Sequence, residues 1–184
     1  MAAEEARWLD DRERRVWLTW MFGTRLFWEE IERDLQREAD MPFGYYDILV
    51  ILSNQPGRML RMSDLADATQ SSRSRLSHAV ARLESRGWVR REEFPGDRRG
   101  QMAVVTEEGF AALEAAAPHH VESVRTHFFD QLSPDDQEEL RAICERLMDH
   151  LLPLAEKRGE VRTRMIAQAI ARLDGRACAD DVGE

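Results

Sequence analysis

The chain has 184 residues, 43% of them apolar and 33% charged, with 35 acids against 26 bases and a net charge of −9. That content fills one good core, so one domain with appended helices is the default expectation. The acidic excess argues against a protein that coats nucleic acid or anionic membrane without selectivity. Residues 7 to 39, rich in Trp, Leu, Arg and Glu, predict one long helix or two abutting ones, with an apolar stripe of Trp17, Trp20, Met21, Thr24, Phe27, Trp28 and Ile31. Met41-Pro42 punctuates it, and Tyr45 to Leu52 is a short apolar helix closed by Ser53-Asn54-Gln55-Pro56-Gly57. Ser63 is placed as the N-cap of a two-turn helix holding Leu65, Ala66 and Ala68. After the polar break Thr69-Gln70-Ser71-Ser72, the stretch Arg73 to Arg86 is helical again, with Leu76, Ala79, Val80 and Leu83 on one side and Gly87 as its stop.

Trp88 to Phe94 and Gln101 to Val105 flank the turn Pro95-Gly96-Asp97-Arg98-Arg99-Gly100, which predicts a two-stranded hairpin. Thr106 caps a helix running towards Asp130 with a bend at Pro118. Ser133 caps another with Pro134 at its first position and the stripe Leu140, Ile143, Cys144, Leu147, Met148, Leu151. Beyond Pro153 an amphipathic stretch carries Val161, Met165, Ile166, Ala169, Ile170 and Leu173, and residues 174–184 are small, acidic and expected to be disordered. The organisation is an N-terminal helix (1–40), a middle lobe (41–106), C-terminal helices (107–173) and a tail (174–184).

Charge singles out the middle lobe. From Arg58 to Gln101 there are ten Arg against six acids, a local +4 that leaves −13 for the rest of the chain. A positive block on a repelling body suits a surface that meets one polyanion at one place, and nucleic acid is the obvious candidate. Short helix, polar turn, second helix and basic hairpin is the order of a winged helix-turn-helix, whose second helix lies in the major groove. With Leu76 at zero and about 100° per residue, Ser74 falls near 160°, His78 near 200°, Ser71 near 220° and Arg82 near 240°, opposite the buried stripe. Ser71, Ser74, Arg75 and His78 are therefore the groove-facing set, with Ser77 at its edge and Ser72 and Arg73 at the helix start, where hydroxyls and amides suit phosphates. Arg75 is the candidate for bidentate contact with guanine, worth roughly 1 to 3 kcal/mol of discrimination. At the hairpin tip Arg99, beside Arg98, suits the minor groove while Asp97 holds it by a bidentate pair. A solvated polar helix face, and a turn whose arginines stay in water, are the plainer readings of the same residues.

Residues 42 to 150 resemble the MarR family of bacterial transcriptional regulators, in a form of actinobacterial type. The resemblance is carried by Arg61-Met62-Ser63-Asp64-Leu65-Ala66, by Ser72 through Arg91, and by the wing Pro95-Gly96-Asp97-Arg98-Arg99-Gly100 leading into Val105-Thr106-Glu107-Glu108-Gly109. Phe94 stands where the commonest wing has an Asp. The resemblance implies a mainly α fold with a small β wing, a winged helix-turn-helix domain between N- and C-terminal dimerisation helices. It also implies a symmetric dimer on a pseudo-palindromic double-stranded operator, and a repressor released by a small aromatic or anionic effector. The effector cleft it implies is lined by Trp17, Trp20, Phe27, Tyr45 and Tyr46, aromatics that plain core and dimer packing also explains. Residues 153 to 173 extend past the usual family chain, as an extra dimer or cover helix.

No apolar run reaches the roughly 18 to 20 residues of a membrane span, and the start Met1-Ala2-Ala3-Glu4-Glu5 lacks signal-peptide order, which predicts a cytoplasmic protein. Cys144 and Cys178 have no metal-ligand spacing and make no disulfide framework. Some relatives sense peroxides through a cysteine, but Cys144 shares a helix stripe and is expected to be buried and inert, and Cys178 falls in the loose tail. His120 and His127 face the same way about 10.5 Å apart, too far for one ion, and His119 adds no geometry. No phosphate loop, nucleophile elbow or zinc-protease pair is present, so neither cofactor nor catalysis is expected. A winged-helix interaction module without DNA is the remaining alternative, and it has no need of ten Arg in 44 residues.

Overall fold

The computed structural model describes residues 6–94 and 97–157, and beyond them 161–163, 165, 166 and 168; among these, the side chains of 97–99 and 156 fall outside the description. The N-terminal segment is one helix, α1 (Asp11–Ala39), opened by a capping box in which the Glu13 amide donates to Asp10 Oδ1 at 2.7 Å and the Asp10 amide to Glu13 Oε2 at 3.0 Å. It ends in left-handed Asp40. Helix α2 (Phe43–Ser53) follows directly, and because Pro42 offers no side-chain cap, Glu32 of α1 takes that role and accepts from the Phe43 amide at 2.9 Å.

A tight turn with left-handed Gly57 leads to strand β1 (Met59–Arg61), then α3 (Met62–Ala68), α4 (Arg73–Ser85), strands β2 (Val89–Phe94) and β3 (Asp97–Val105), α5 (Glu107–His127) and α6 (Pro134–Glu156). The expected two-stranded hairpin is in fact a three-stranded antiparallel sheet in the order β1-β3-β2, with Met59 opposite Val104 and Arg61 opposite Met102. Three residues are too few to show alternation, which hid β1 in the sequence. Ser63 is not a cap: α3 begins at Met62 straight out of β1, and the Ser63 hydroxyl donates to Asp64 at 3.2 Å instead. Pro118 lies inside an unbroken α5.

The core sits in the middle lobe. Leu49, Leu52, Leu65, Leu76, Val80 and Leu83 are enclosed together, sealed by Val89, Ala103 and Val105 of the sheet, Leu113 of α5 and Leu35 of α1. Closure at the base of the hairpin depends on Gly109, where a Cβ would stand 2.0 Å from the Trp88 carbonyl oxygen; α5 presses directly on that backbone. Thr106 fixes the same corner, its hydroxyl donating to the Gly87 carbonyl at 2.6 Å and accepting from the Gly109 amide at 3.0 Å.

Helix α5 is pinned to α1 by polar groups. Ser123 Oγ and His127 Nε2 donate to Asp34 Oδ2 at 2.7 and 2.8 Å, and Arg37 Nη2 donates to Oδ1 at 2.7 Å. The Ser123 hydrogen bond, helped by His127 and Arg37, holds the Asp34 carboxyl below the usual carboxylate range despite partial burial. Elsewhere the helical frame is bare. Residues 11–26 of α1 are all exposed, and α6 buries none of its described side chains. Cys144 is accordingly exposed, not buried as its stripe suggested, because nothing among the described residues covers it. Cys178 and the tail 174–184 lie outside the described residues.

Candidate nucleic-acid interface

Helix α4 starts at Ser72, whose hydroxyl accepts from the Arg75 amide at 3.3 Å, and stops where Gly87 adopts φ 73 and the Trp88 amide reaches back to the Leu83 carbonyl at 3.0 Å. Leu76, Val80 and Leu83 face the core, with Ala79 half-buried beside them. Ser74, Arg75, His78 and Arg82 are exposed where the arithmetic on the stripe puts the outward face, with Ser77 exposed at its edge and Ser72 and Arg73 exposed at the helix start. Ser71 is half-buried, its amide held by the Ala66 carbonyl at 3.0 Å, which ties it to the turn more than to the groove-facing side.

The arginines of the positive block divide into two groups. Arg58 lies 3.7 Å over the Phe110 ring and pairs with Glu107 at 3.2 Å; Arg61 lies 3.3 Å over Phe94. Arg86 donates to the Asp40 carbonyl at 3.0 Å beside the Trp88 ring, and Arg90 pairs with Glu92 at 2.8 Å. Arg91 donates through Nη2 to the Ser77 carbonyl at 2.9 Å, with its Nε 3.4 Å from Glu84. These five are engaged by the fold itself. Arg75 and Arg82, on the outward face of α4, and Arg73, exposed at its first residue, make no ion pair or side-chain hydrogen bond among the described residues. Net local charge therefore understates how far the available charge among the described residues is gathered on one helix.

Two residues escaped the sequence reading. Arg82 was placed near the outward face by angle and not carried into the site, although its exposure matches that of Arg75. Arg91 links the hairpin to α4, and the signal for it was there: it shares a strand face with buried Val89 two residues earlier, so it points inward at α4. Phe94 also gains a reason. At the irregular pairing between Glu93 and Phe94 it provides the ring on which Arg61 lies, which anchors the base of the wing without the Asp common at that place. The wing candidates Asp97, Arg98 and Arg99 open β3, and their side chains lie outside the described residues.

The MarR_2 model of the MarR family matches residues 39–100, the lobe that carries this face. The HTH-type transcriptional regulator PecS of Dickeya dadantii is 36% identical over 129 residues, covering 64% of this chain and 75% of the relative. The chain belongs to the MarR family. Its structure is similar to that of Sco3205, a MarR family transcriptional regulator from Streptomyces coelicolor solved in complex with DNA, at TM-score 0.72 and 46% identity over 81% of this chain and 93% of that one. AbsC, from the same organism, matches at TM-score 0.70 and 46% identity, covering 79% and 98%. The protein is thus a winged-helix transcriptional regulator of the MarR family with a small three-stranded sheet.

The five aromatics expected to line an effector cleft fall in different places. Trp17 and Trp20 pack together at 5.5 Å on the exposed half of α1. Tyr45 lies 6.0 Å from the Arg86 guanidinium. Phe27 and Tyr46 stand at two points of one aromatic row, Phe27-Trp28-Phe43-Tyr46-His120, which runs where α1, α2 and α5 meet. Burial raises the Tyr46 phenol and lowers the His120 imidazole, and His120 Nδ1 is enclosed without a hydrogen-bond partner among the described residues. His127 is taken by Asp34, and the described residues hold no group of three metal-ligating side chains. No helix among them is long and apolar enough to cross a membrane.

Proposed function

We propose that the chain is a homodimeric, sequence-specific repressor that binds a pseudo-palindromic double-stranded operator and releases it when a small aromatic or anionic effector binds. The observation that carries this reading is that, among the described residues, Arg75 and Arg82 are left free of the fold on one outward face of α4, with Arg73 free at the helix start. Arg75 reads guanine; Ser72, Arg73, Ser74, Ser77 and Arg82 meet phosphates; His78 faces the bases one turn on, and Ser71 supports the helix start. Asp97, Arg98 and Arg99 form the wing that enters the minor groove. The DNA complex of a relative 46% identical supports DNA as the partner. The Streptomyces likenesses support an actinobacterial type, and a DNA target implies the cytoplasm. The named relatives are regulators, which supports a role without catalysis or cofactor.

Dimerisation is supported by the bare helices. α6 leaves Ile143, Leu147, Leu151 and Leu154 in water, and α1 leaves Val16, Trp17, Trp20 and Phe22 there. In proteins most helical stability comes from tertiary packing of the apolar face, so a second copy is the natural cover for these. Two-fold symmetry then sets half-sites about one helical turn apart. The aromatic row ending at unpartnered His120 supports an effector position between frame and lobe.

Fluorescence anisotropy of the protein on duplex DNA from upstream of its own gene tests the reading. With six to ten phosphate contacts, affinity is expected to fall roughly 10³- to 10⁵-fold between about 50 and about 200 mM salt. A flat salt dependence, or a monomer by light scattering at the binding concentration, sinks it.

A further inference from the structure

Helix α2 has a second face. Asp47, Val50, Ile51 and Asn54 recur at helical spacing on the side away from Ile48, Leu49 and Leu52, and they line an open cleft of about 680 Å³. That volume lies within the roughly 300–1,000 Å³ of small-molecule sites. Its opposite wall is the C-terminal extension, through Arg162, Met165, Ile166 and Gln168, seated beside Thr163, which is only 3% exposed.

The chemistry of the lining is uneven. Asp47 is partly buried and accepts no hydrogen bond from any described residue; Arg162 acts on it through charge alone, and burial pushes its carboxyl up. A half-buried carboxylate with no hydrogen-bond donor of its own is open to a charged one. Asn54 and Gln55 use their amide nitrogens on the Val50 and Ile51 carbonyls, at 2.9 and 3.5 Å, and the Thr69 hydroxyl donates to Leu65 at 2.9 Å. The α2 wall is left rich in acceptors above an apolar strip of Val50, Ile51, Met165 and Ile166. Arg162 is the one cation among the described lining residues, and its charge is already opposed by Asp47; an acid would have to meet Asp47 and these lone pairs, whereas a cation on an apolar stem would satisfy them.

We propose that this cleft binds a small amphipathic amine, its ammonium on Asp47 and its apolar body along Val50, Ile51, Met165 and Ile166. The site is separate from the aromatic row, which meets α2 at its N-terminal turn through Phe43 and Tyr46, whereas the cleft runs from Asp47 to Gln55 and on to Gln70. It is coupled to the recognition helix through its end wall, Thr69 and Gln70. Gln70 holds φ 51, a left-handed conformation that a non-glycine residue keeps only when its surroundings enforce it, and it stands two residues before the Ser72 cap of α4. An occupant of the cleft touches that enforced link.

The test is isothermal titration of the full chain, without DNA, with phenethylamine, tryptamine and octylamine, and with 3-phenylpropionate as the acid of matching size. At least one amine is expected to bind saturably, one per chain, with the acid giving no saturable heat. Asp47→Asn is expected to weaken the amine about tenfold or more, the loss of a hydrogen bond to a charged group. Ile51→Trp, which fills the cleft and leaves Asp47 in place, is expected to abolish binding in a protein that still unfolds cooperatively. The proposal is overturned if none of the amines binds, if the acid binds as well as they do, or if both variants bind the amine like wild type. Because no DNA is present, any of these results leaves the DNA-binding reading standing.

Discussion

The winged-helix lobe and the helical arms both carry apolar stripes at helical spacing, but only the lobe covers its own. Leu76, Val80 and Leu83 of α4 meet Leu49, Leu52 and Leu65 and vanish from the surface, whereas Leu147 and Leu151 of α6 remain about half exposed. The charge follows the same division, since the lobe holds the positive block and the rest of the chain is strongly acidic. A segment that closes its own core can present a shaped, charged face; a segment that cannot is specified by what it will pack against. The same substitution should therefore leave different signatures in the two regions.

Leu83→Ala in the lobe is expected to cost about 2–5 kcal/mol of unfolding free energy, independent of protein concentration, in urea titration. Paired Leu147→Ser and Leu151→Ser on α6 should instead convert the dimer to a monomer by light scattering and shift stability only through concentration. A concentration-independent loss as large as that of Leu83→Ala would break the comparison. Within the lobe, Arg75→Ala should remove roughly 1–3 kcal/mol of base discrimination, while Arg90→Ala, whose exposed partner is Glu92, should leave operator affinity within about 0.5 kcal/mol. Arg91→Ala sharpens this further: freeing the hairpin from Ser77 should weaken operator binding by about 1 kcal/mol, with unchanged base preference in competition assays.

The smallest effect concerns the α1–α5 pin. The Asp34 carboxyl titrates below its unfolded value, so its contribution is present above the ordinary carboxylate range and is lost as pH falls through the folded value. Asp34→Asn should destabilise the protein at neutral pH and flatten the acid limb of its stability profile in urea titrations at stepped pH. A variant whose acid limb matches wild type would remove Asp34 as its source.

Much of the fold was legible because periodicity reports burial. The stripe on α4 located its outward face for Ser74, Arg75 and His78, though not for Ser71, and Gly87, Thr106 and Ser133 marked helix ends by local chemistry that tertiary contacts did not override. What stayed hidden depended on partners distant in sequence. β1 exists because Leu60 finds Ala103, α2 is capped by Glu32 eleven residues earlier, and Cys144 is exposed because its stripe has no cover among the described residues. The arginine count showed where positive charge lies but not which arginines the fold engages, since stacking on Phe94 and Phe110 leaves no short-range pattern. The cleft at Asp47 was invisible for the same reason, being closed by residues more than a hundred positions away.

The most direct measurement is selection of a binding site by the full chain from a randomised duplex library, run in parallel with Arg75→Ala. Wild type should enrich an inverted repeat with half-site centres about 10 base pairs apart, and Arg75→Ala should relax one guanine position in each half-site while keeping the spacing. Failure of wild type to enrich any motif, or an unchanged motif in Arg75→Ala, would contradict a groove-reading α4.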